Sequence, residues 1–554
     1  MFMGHEQKER KGFVLLLWVT AVVFTLILYF LNLLLGDLNQ DEGWYLYAAR
    51  CVSQGLHPYI DFASTQGPVM SYVYGFFYGI VRLAGLAGGR AITGFFGLIG
   101  CFLAAALAAV LTADITGSRR AGRYAGLWTL FLLGMNVYHV YFTVIVKTYA
   151  LTALLLLLGT CCMAYAAGRR PLAAGLGAGF FYALAAGTRL SALMLPVAAF
   201  AALAFELWQS SKKTPSAASQ PLYALTGLAA GTAATLLVLF VPFAIRAPQG
   251  VWFALVEYHA GRDAGSWFSS AAYAVGFFAR WLRAAFVPLL LISAVIAWRM
   301  VSGRPLTIAL PAKCRPAAHT MYGGIVLVTL LHAAAPFPYD DYQVIIMPLL
   351  AVVAVILTVQ CVGMRLFQPA GYVAGVCTLF CLAAIAAAAA SPIPESWFIA
   401  GRDRIWWPLK EEIPLLQLRR TAKKLQRLCP PEQQLLTQDL YLAVEADRDV
   451  PRGWELGPFC YFPEWPREKA EARRVVNRAM MREILLESGA PAAAFSGYGL
   501  SIASPGIRPI DDAEYEELWH LVTGRYREYA QIPAFGQAFT VLRIMVKNSD
   551  NISQ

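Results

Sequence analysis

This sequence contains few charged residues. Of its 554 residues only 14% are charged and 58% are hydrophobic, and the mean hydropathy is +0.53. Soluble domains carry about 25% charged residues, so the composition excludes an ordinary soluble protein and indicates a membrane protein. The apolar runs recur over the first 391 residues, which excludes a single cleaved signal peptide as their source.

Two kinds of site are also missing. We find no glycine-rich phosphate loop of the P-loop or Rossmann type, which argues against a nucleotide site. The ten cysteines show no metal-binding spacing. Only Cys429 and Cys460 follow the apolar region, and the sequence leaves open whether they pair, because it does not show proximity.

The chain divides into two regions. Residues 1–391 are predicted to form a polytopic α-helical membrane domain, in which 36–90 is a long first outer loop with juxtamembrane helices. Residues 392–554, called the tail below, have frequent charges and no long apolar run. We predict that the tail is a soluble α/β domain. The net charge is +11, and its basic excess lies in the membrane region, which indicates membrane orientation rather than nucleic-acid binding.

About eleven segments are long enough to cross a bilayer. They are predicted at 13–35, 91–112, 123–142, 148–167, 171–187, 190–209, 221–244, 284–300, 319–334, 343–360 and 369–390. The positive-inside rule favours a cytoplasmic N-terminus and a segment 68–85 that lies on the outer face without crossing. An odd number of spans then places the tail outside.

The tail shows both helical and strand-like patterns. Helices are predicted at 410–428 and 468–486, and strands at 434–438, 492–495 and 539–545.

Acidic residues collect on the predicted outer side, at Asp37, Asp41, Glu42, Asp61, Glu257, Asp263, Asp340 and Asp341. Acidic residues contribute little to membrane topology, so this bias indicates a site. Asp41 and Glu42 directly follow the first span. A carboxylate beside a lipid surface is partly desolvated, which suits a general base that takes a proton from a hydroxyl. The alternative is a solvated acidic loop.

Four stretches together resemble a known superfamily. They are "DEGWYLYAARCVSQGLHPYIDF" after the first span, "STQGPVMSYVYGFFYGIVRLAG" (64–85), "GTRLSALMLP" (187–196) and "PYDDYQVIIMPLLAV" (338–352). With the many spans and outer tail, they resemble the GT-C glycosyltransferases, in particular relatives of the protein O-mannosyltransferases and of the lipid A aminoarabinose transferases.

The resemblance implies an inverting glycosyltransferase that moves a sugar from a polyprenyl-phosphate carrier to an acceptor on the outer face. Asp41 matches the catalytic base of that family, and Glu42 is its catalytic neighbour, with Asp61 helping to shape the pocket. The sequence departs from the family at Gln66, where relatives often have a lysine that contacts the donor phosphate. The acceptor is left open among a lipid, a glycan and a protein.

The departure at Gln66 shifts the phosphate contact to other basic residues. Arg189 lies at the outer end of a helix and is the best candidate, and Lys147 begins another helix on the same side. A charged residue near a membrane is tolerable if it faces a phosphate or a carboxylate. The alternative for both residues is snorkelling to the interface.

The loop around "EYHAGRDAG" brings Glu257, His259 and Arg262 close in sequence. Some relatives hold a divalent cation with a carboxylate and a histidine in outer loops, so Glu257 and His259 are candidate metal ligands. Their spacing is not that of a zinc motif. The alternatives are a histidine that hydrogen-bonds the substrate and one that is merely solvated.

A second acidic pair, Asp340 and Asp341, precedes Tyr342 and an apolar run. These residues suit contacts with sugar hydroxyls and stacking on a sugar ring. The alternative is helix capping by Asp341, because an aspartate before a helix accepts backbone N–H bonds.

We therefore predict a multi-pass enzyme of a bacterial inner membrane, with a periplasmic or extracellular tail. A lipid-linked-sugar transporter is less favoured, because transporters carry broken or polar helices near the midplane and these spans are free of charge except at their ends. A non-catalytic membrane protein with a binding tail remains the other alternative. The expected partners are the lipid-linked donor, the acceptor and membrane lipids, but not nucleic acid.

Overall fold

The structure is a computed structural model that describes residues 2–168, 170–212, 215–262, 266–303, 310–362, 412–537 and 539–548. The predicted span 369–390, the predicted boundary between residues 391 and 392, and Asp263 lie outside these residues.

The described part of the first region is helical. Its helices are α1 (Phe2–Leu35), α2 (Gln40–Ser53), α3 (Val69–Phe76), α4 (Tyr78–Ala84), α5 (Leu86–Thr116), α6 (Arg119–Gly134), α7 (Val137–Val144), α8 (Tyr149–Ala164), α9 (Pro171–Thr188), α10 (Met194–Ser211), α11 (Pro215–Arg246), α12 (Pro248–Trp252), α13 (Tyr258–Ala260), α14 (Trp267–Ala284), α15 (Phe286–Val301), α16 (Arg315–Ala333) and α17 (Met347–Val362). Two 3₁₀ turns, Leu190–Leu193 and Asp340–Ile346, and a π-helical turn, Phe253–Glu257, join some of them.

Six helical segments are long and apolar enough to cross a membrane. The chain is therefore a multi-pass membrane protein, as predicted. The six segments coincide with predicted spans and are Val14–Leu35, Leu86–Thr116, Pro171–Thr188, Leu190–Ser211, Ala218–Arg246 and Asp340–Gln360.

The other predicted spans are more irregular. The predicted span 123–142 falls on α6 and α7, which meet at an angle of 70°. The predicted span 284–300 falls on α15, which meets α14 at 92°. Counting each bent pair as one span gives up to eight in the described chain. The span 148–167 coincides with the shorter helix α8. The segment 68–85 forms α3 and α4, which are too short to span a bilayer.

The tail combines helices with a small antiparallel sheet, which confirms the predicted α/β class. Strands β1 (Ala492–Phe495), β4 (Tyr526–Phe535) and β5 (Thr540–Lys547) pair in the order β1-β5-β4, and β2 (Ile502–Ala503) pairs with β3 (Arg508–Pro509). The predicted strand 434–438 makes one bridge, between Leu436 and Ala493. The helices are Pro414–Leu428, Leu440–Ala446, Arg467–Glu471, Arg478–Glu487 and Asp512–Arg525; the predicted helix 468–486 is thus two helices, and β4 was not predicted.

The tail packs directly on α2. A Cβ added at Gly43 would lie 2.4 Å from the backbone nitrogen of Tyr441, so only glycine permits this approach. Arg50 of α2 forms ion pairs with Asp447 and Asp449 of the tail, and the hydroxyl of Tyr47 accepts the N–H of Val450 (2.9 Å). These contacts, called the seam below, hold the tail against the first loop.

Candidate active site

A cavity of about 460 Å³ lies where the first loop, several helix ends and the tail meet. Its wall is polar and aromatic on the side of the helix bundle, while the tail contributes mainly apolar side chains. The residues used below that line it are Asp41, Gln66, Lys147, Thr148, Tyr149, Arg189, Ser191, Tyr258, His259, Arg262, His332, Asp341 and Tyr342, with Phe459, Tyr498, Ile502, Ile507 and Gln537 from the tail.

Asp41 reaches the cavity because of a local capping structure. Asn39 caps α2: its side chain accepts the N–H of Asp41 (3.1 Å), while Glu42 accepts the N–H of Asn39 (3.1 Å). Such a capping box fixes the first turn of a helix. Asp41 therefore stands in the first turn of α2 and lines the cavity, with its side chain 29% exposed.

Glu42 is not part of the cavity, unlike the prediction that paired it with Asp41. Its carboxylate receives two hydrogen bonds from Arg90 (2.7 and 2.8 Å), and both side chains are fully buried. It also accepts the N–H of Val146 (3.1 Å). Because Arg90 also donates to the carbonyls of Gly36 and Asp37, this pair fixes the end of α1, the start of α2 and the loop before Lys147 together.

Lys147 joins the two acidic stretches of the sequence. Its ammonium lies 3.1 Å from Asp41 Oδ2 and 2.9 Å from Asp341 Oδ2, which also accepts the hydroxyl of Tyr149 (2.9 Å). Burial alone would lower the pKa of Lys147, but Asp341 and Asp41 raise it well above its ordinary value. Lys147 is therefore a fixed positive charge beside Asp41, and Asp341 binds side chains rather than capping a helix.

Two further cations, Arg189 and Arg262, line the cavity. Arg189 is buried between Tyr149 and Tyr342, with its guanidinium 5.1 and 4.3 Å from the two ring centres. The only hydrogen bond that the guanidinium makes within the described chain goes to the hydroxyl of Thr148 (3.3 Å). Arg262 contacts the ring and hydroxyl of Tyr258, and within the described residues neither arginine forms a salt bridge. Taking an unpaired charge out of water is costly, so this wall suits an anion.

His259 and Gln66 also line the cavity. The Nε2 atom of His259 lies 2.9 Å from the carbonyl of Thr65 and therefore donates to it. Burial, together with nearby Arg262, lowers the pKa of His259 to about 4. His259 is thus neutral near pH 7, and its contact joins α13 to the segment that carries Gln66.

Three predicted site residues lie elsewhere. Asp61 accepts the N–H of His57 (2.7 Å) within the first loop, which is a local turn contact. Glu257 pairs with Lys469 (2.9 Å) and Arg473 of the tail, and Asp340 is buried against Arg280 (2.8 Å) and Tyr138. Glu257 and Asp340 are thus engaged in tertiary contacts, and none of the three carboxylates lines the cavity.

Glu257 and His259, the candidate metal ligands, do not face a common point in the cavity. Glu257 is occupied by two cations and His259 donates from Nε2. Over the described residues, no group of three or more His, Cys, Asp or Glu side chains is placed to hold a metal ion. The divalent metal therefore stays an expectation from the sequence, without a ligand set in this part of the chain.

Several cavity residues were missed by sequence reasoning. Tyr149, Ser191 and His332 stand at helix ends beside residues that were singled out, and His332 is a polar residue in the last turn of an apolar helix. That last pattern is a usable signal, because a polar side chain in such a run needs a partner. Phe459, Tyr498 and Gln537 had no signal, because only the seating of the tail brings them to the cavity.

Comparison with solved structures gives the fold of the whole chain. A crystal structure of ArnT from Cupriavidus metallidurans bound to undecaprenyl phosphate matches with a TM-score of 0.52 and 14% identity, covering 98% of this chain and 99% of that one. The apo structure of the same protein matches with a TM-score of 0.50 and 14% identity, covering 97% and 98%. The chain therefore shares the fold of that protein. The fold expected from the sequence resemblance is thereby confirmed.

At this identity the likeness concerns the fold alone. No protein-family model matches the chain. No curated protein matches it either.

Proposed function

We propose that this protein is an inverting glycosyltransferase that moves a sugar from a polyprenyl-phosphate carrier to a hydroxyl acceptor. The observation that carries the proposal is the composition of one cavity wall. Asp41 stands beside the fixed charge of Lys147, and Arg189 and Arg262 line the same cavity without an acidic partner among the described residues. A base and surplus positive charge in one cavity are what transfer from a phosphate leaving group requires.

Asp41 is the general base in this mechanism. Its carboxylate takes the proton of the acceptor hydroxyl while the hydroxyl oxygen forms a bond to the anomeric carbon. Lys147 fixes the direction of the carboxylate, since its ammonium lies between Asp41 and Asp341. The glycosidic bond breaks in the same step, so the configuration at the anomeric carbon inverts.

Arg189 and Arg262 stabilise the leaving group. The electron pair of the broken bond goes to the phosphate oxygen, and negative charge grows there as the bond breaks. Preorganised cations aimed at developing charge contribute most to such a step. In this chain Gln66 stands where relatives often carry a lysine, so the two arginines and Lys147 supply the positive charge.

The tail closes the cavity on the side away from the bundle and contributes to the choice of acceptor. Phe459, Ile502 and Ile507 give that side an apolar surface beside the polar wall. We place the cavity and the tail on the extracytoplasmic face of a bacterial inner membrane, as the distribution of basic loop residues favours.

The decisive experiment measures release of free polyprenyl phosphate from a panel of labelled polyprenyl-phosphate sugars, with native membranes supplying the acceptor. We expect release by the wild-type protein and a loss of at least about 100-fold in Asp41→Asn, as is typical when a general base is removed. Asp114→Asn is the matched control, because Asp114 pairs with Lys313 on the surface (2.6 Å) and does not line the cavity.

Two results would contradict the proposal. Full release by the Asp41→Asn variant would show that Asp41 is not the base. Absence of release from every donor, by a folded wild-type protein supplied with native membranes, would show that the cavity binds rather than transfers.

A further inference from the structure

Several residues that line the cavity carry a buried polar atom without a hydrogen-bond partner within the described chain. Three of these atoms are Nε of Arg189, Oγ of Ser191 and Nε2 of His332; the others include Oε1 of Gln40, Nε1 of Trp44 and Nε of Arg262. Buried polar groups are nearly always paired, so unpaired ones on one cavity indicate positions that a ligand fills. The three groups of Arg189, Ser191 and His332 are called the donor wall below.

The donor wall is compact because Tyr342 lies between two of its members. The guanidinium of Arg189 stands 4.3 Å from the Tyr342 ring centre, and the ring of His332 lies 5.4 Å from it at 60°. Ser191 follows Arg189 by two residues in the 3₁₀ turn Leu190–Leu193. One ligand of sugar size can therefore meet all three groups.

Neighbouring contacts fix His332 as a hydrogen-bond donor. Thr329 donates its hydroxyl to Gln343 Oε1 (3.2 Å), which orients the amide of Gln343. The amide nitrogen of Gln343 then donates to His332 Nδ1 (3.2 Å). A neutral imidazole that accepts at Nδ1 carries its proton on Nε2, so the free atom of His332 presents an N–H to the ligand.

Asp341 adds an acceptor to these donors. Its Oδ1 is buried without a partner in the described chain, while its Oδ2 binds Lys147 and Tyr149. A hydroxyl group both donates and accepts, so neighbouring hydroxyls can satisfy the donor wall and Asp341 together. An ammonium only donates and would leave His332 and Arg189 unpaired, whereas a carboxylate would be repelled by Asp341.

We propose that the donor wall binds the transferred sugar through Ser191, His332 and the Nε atom of Arg189, while the terminal nitrogens of Arg189 serve the phosphate. This sugar is neutral and presents hydroxyl groups there rather than an amino or acidic substituent. The inference rests on the proposed function, because it assumes that the cavity receives a polyprenyl-phosphate sugar. It adds the chemical class of the sugar and gives Ser191 and His332 the role of specificity residues. Thr329 and Gln343 are positioning residues that act through His332.

The test is competition binding to the full-length protein in detergent, with labelled polyprenyl phosphate as the probe. Polyprenyl-phosphate hexose and polyprenyl-phosphate amino sugar are the competitors. We expect the wild-type protein to bind the neutral hexose donor at least about tenfold more tightly than the amino-sugar donor, since one unsatisfied buried polar group costs that much or more.

The variants Ser191→Ala and His332→Phe show whether the donor wall binds the sugar or the phosphate. Each variant should weaken binding of the hexose donor by roughly fivefold to tenfold, the value of one hydrogen bond, and leave binding of sugar-free polyprenyl phosphate unchanged. Equal weakening of both ligands would show that the wall binds phosphate, and tighter wild-type binding of the amino-sugar donor would also overturn the proposal.

Two further variants guard against a purely structural effect. Ser211→Ala is the matched control for Ser191→Ala, because Ser211 lies at the far end of α10 and its hydroxyl bonds only to a local carbonyl. Thr329→Val removes the hydrogen bond that orients the amide of Gln343. It should weaken binding of the hexose donor by less than His332→Phe does, and it should leave binding of sugar-free polyprenyl phosphate unchanged. These measurements need no turnover, so an inactive protein that still prefers the hexose donor would disprove the transferase and retain the donor wall.

Discussion

The seam and the cavity are built from the same residue types but treat charge in opposite ways. At the seam, Arg50 meets two aspartates of the tail. Outside the seam, Glu257 likewise meets two cations of the tail. In the cavity, Arg189 is buried and Arg262 is half-buried, and neither has an acidic partner in the described chain. Paired charges hold the tail in place, while these two arginines leave positive charge for the proposed ligand.

Asp41 and Glu42 show the same contrast between adjacent residues. One faces the cavity beside Lys147, and the other is enclosed with Arg90. Their neighbours, rather than their residue type, decide which of them is available for chemistry. The following changes test this division, beginning with the largest expected effect.

Glu42→Gln should destabilise the fold by about 3 to 5 kcal/mol, because it leaves the buried Arg90 without its counter-charge. Thermal unfolding in detergent measures this loss. Arg50→Gln is the comparison, and we expect at most about 1 kcal/mol from it, since its partner aspartates are nearly half exposed. Similar losses in the two variants would contradict a special role for the Glu42–Arg90 pair.

Glu455→Gln should change how stability depends on pH. Burial raises the pKa of Glu455 to about 7, so the folded state holds a proton that the unfolded state releases near pH 4.5. The stabilisation is complete below pH 4.5 and is lost as pH rises through 7. Between pH 5 and pH 8, the free energy of unfolding of the wild-type protein should fall by up to about 3 kcal/mol relative to that of Glu455→Gln.

The measurement is the difference in unfolding free energy between these two proteins, taken at both pH values. Other titrating groups, including His259, contribute equally to both and cancel. A pH-independent difference would show that Glu455 is ionised in the folded protein.

Arg189→Gln should weaken binding of polyprenyl phosphate by roughly 10- to 100-fold, corresponding to a hydrogen bond to a charged group. It should not lower the unfolding temperature, because it removes a buried charge that has no acidic partner in the described chain. Binding and thermal unfolding measured together check both parts. Arg120→Gln, a change on the exposed side of α6, is the control; loss of stability without loss of binding would make Arg189 structural.

Gly43→Ala should produce the smallest change, a net loss of about 1 kcal/mol. Alanine favours a helix over glycine by up to about 1 kcal/mol, but its Cβ would collide with the backbone of Tyr441, which costs about 1 to 3 kcal/mol. Limited proteolysis of the tail reports on its seating. Gly79→Ala, where a Cβ meets nothing within 4 Å, should instead be stabilising.

The sequence predicted the fold correctly where a hydropathy pattern extends over many residues. Apolar runs of bilayer length gave six helices at their predicted positions, and short strand-like segments gave β1 and β5 in the tail. The bends between α6 and α7 and between α14 and α15 were not predicted, because hydropathy records length but not direction. Strand β4 has exposed and half-buried residues along most of its length, so its pattern was too weak to identify.

The candidate site divides in the same way. The sequence by itself determined a helical membrane protein with an acidic first loop, and it identified Asp41, Lys147, Arg189, His259, Arg262, Asp341 and Tyr342 as residues that proved to line one cavity. Only the tertiary structure decided that Glu42 pairs with Arg90, that Glu257 pairs with cations of the tail, and that Ser191 and His332 line the cavity. Residue type and hydropathy act locally, whereas the pairing of a charge depends on side chains that are distant in sequence and meet only when the chain folds.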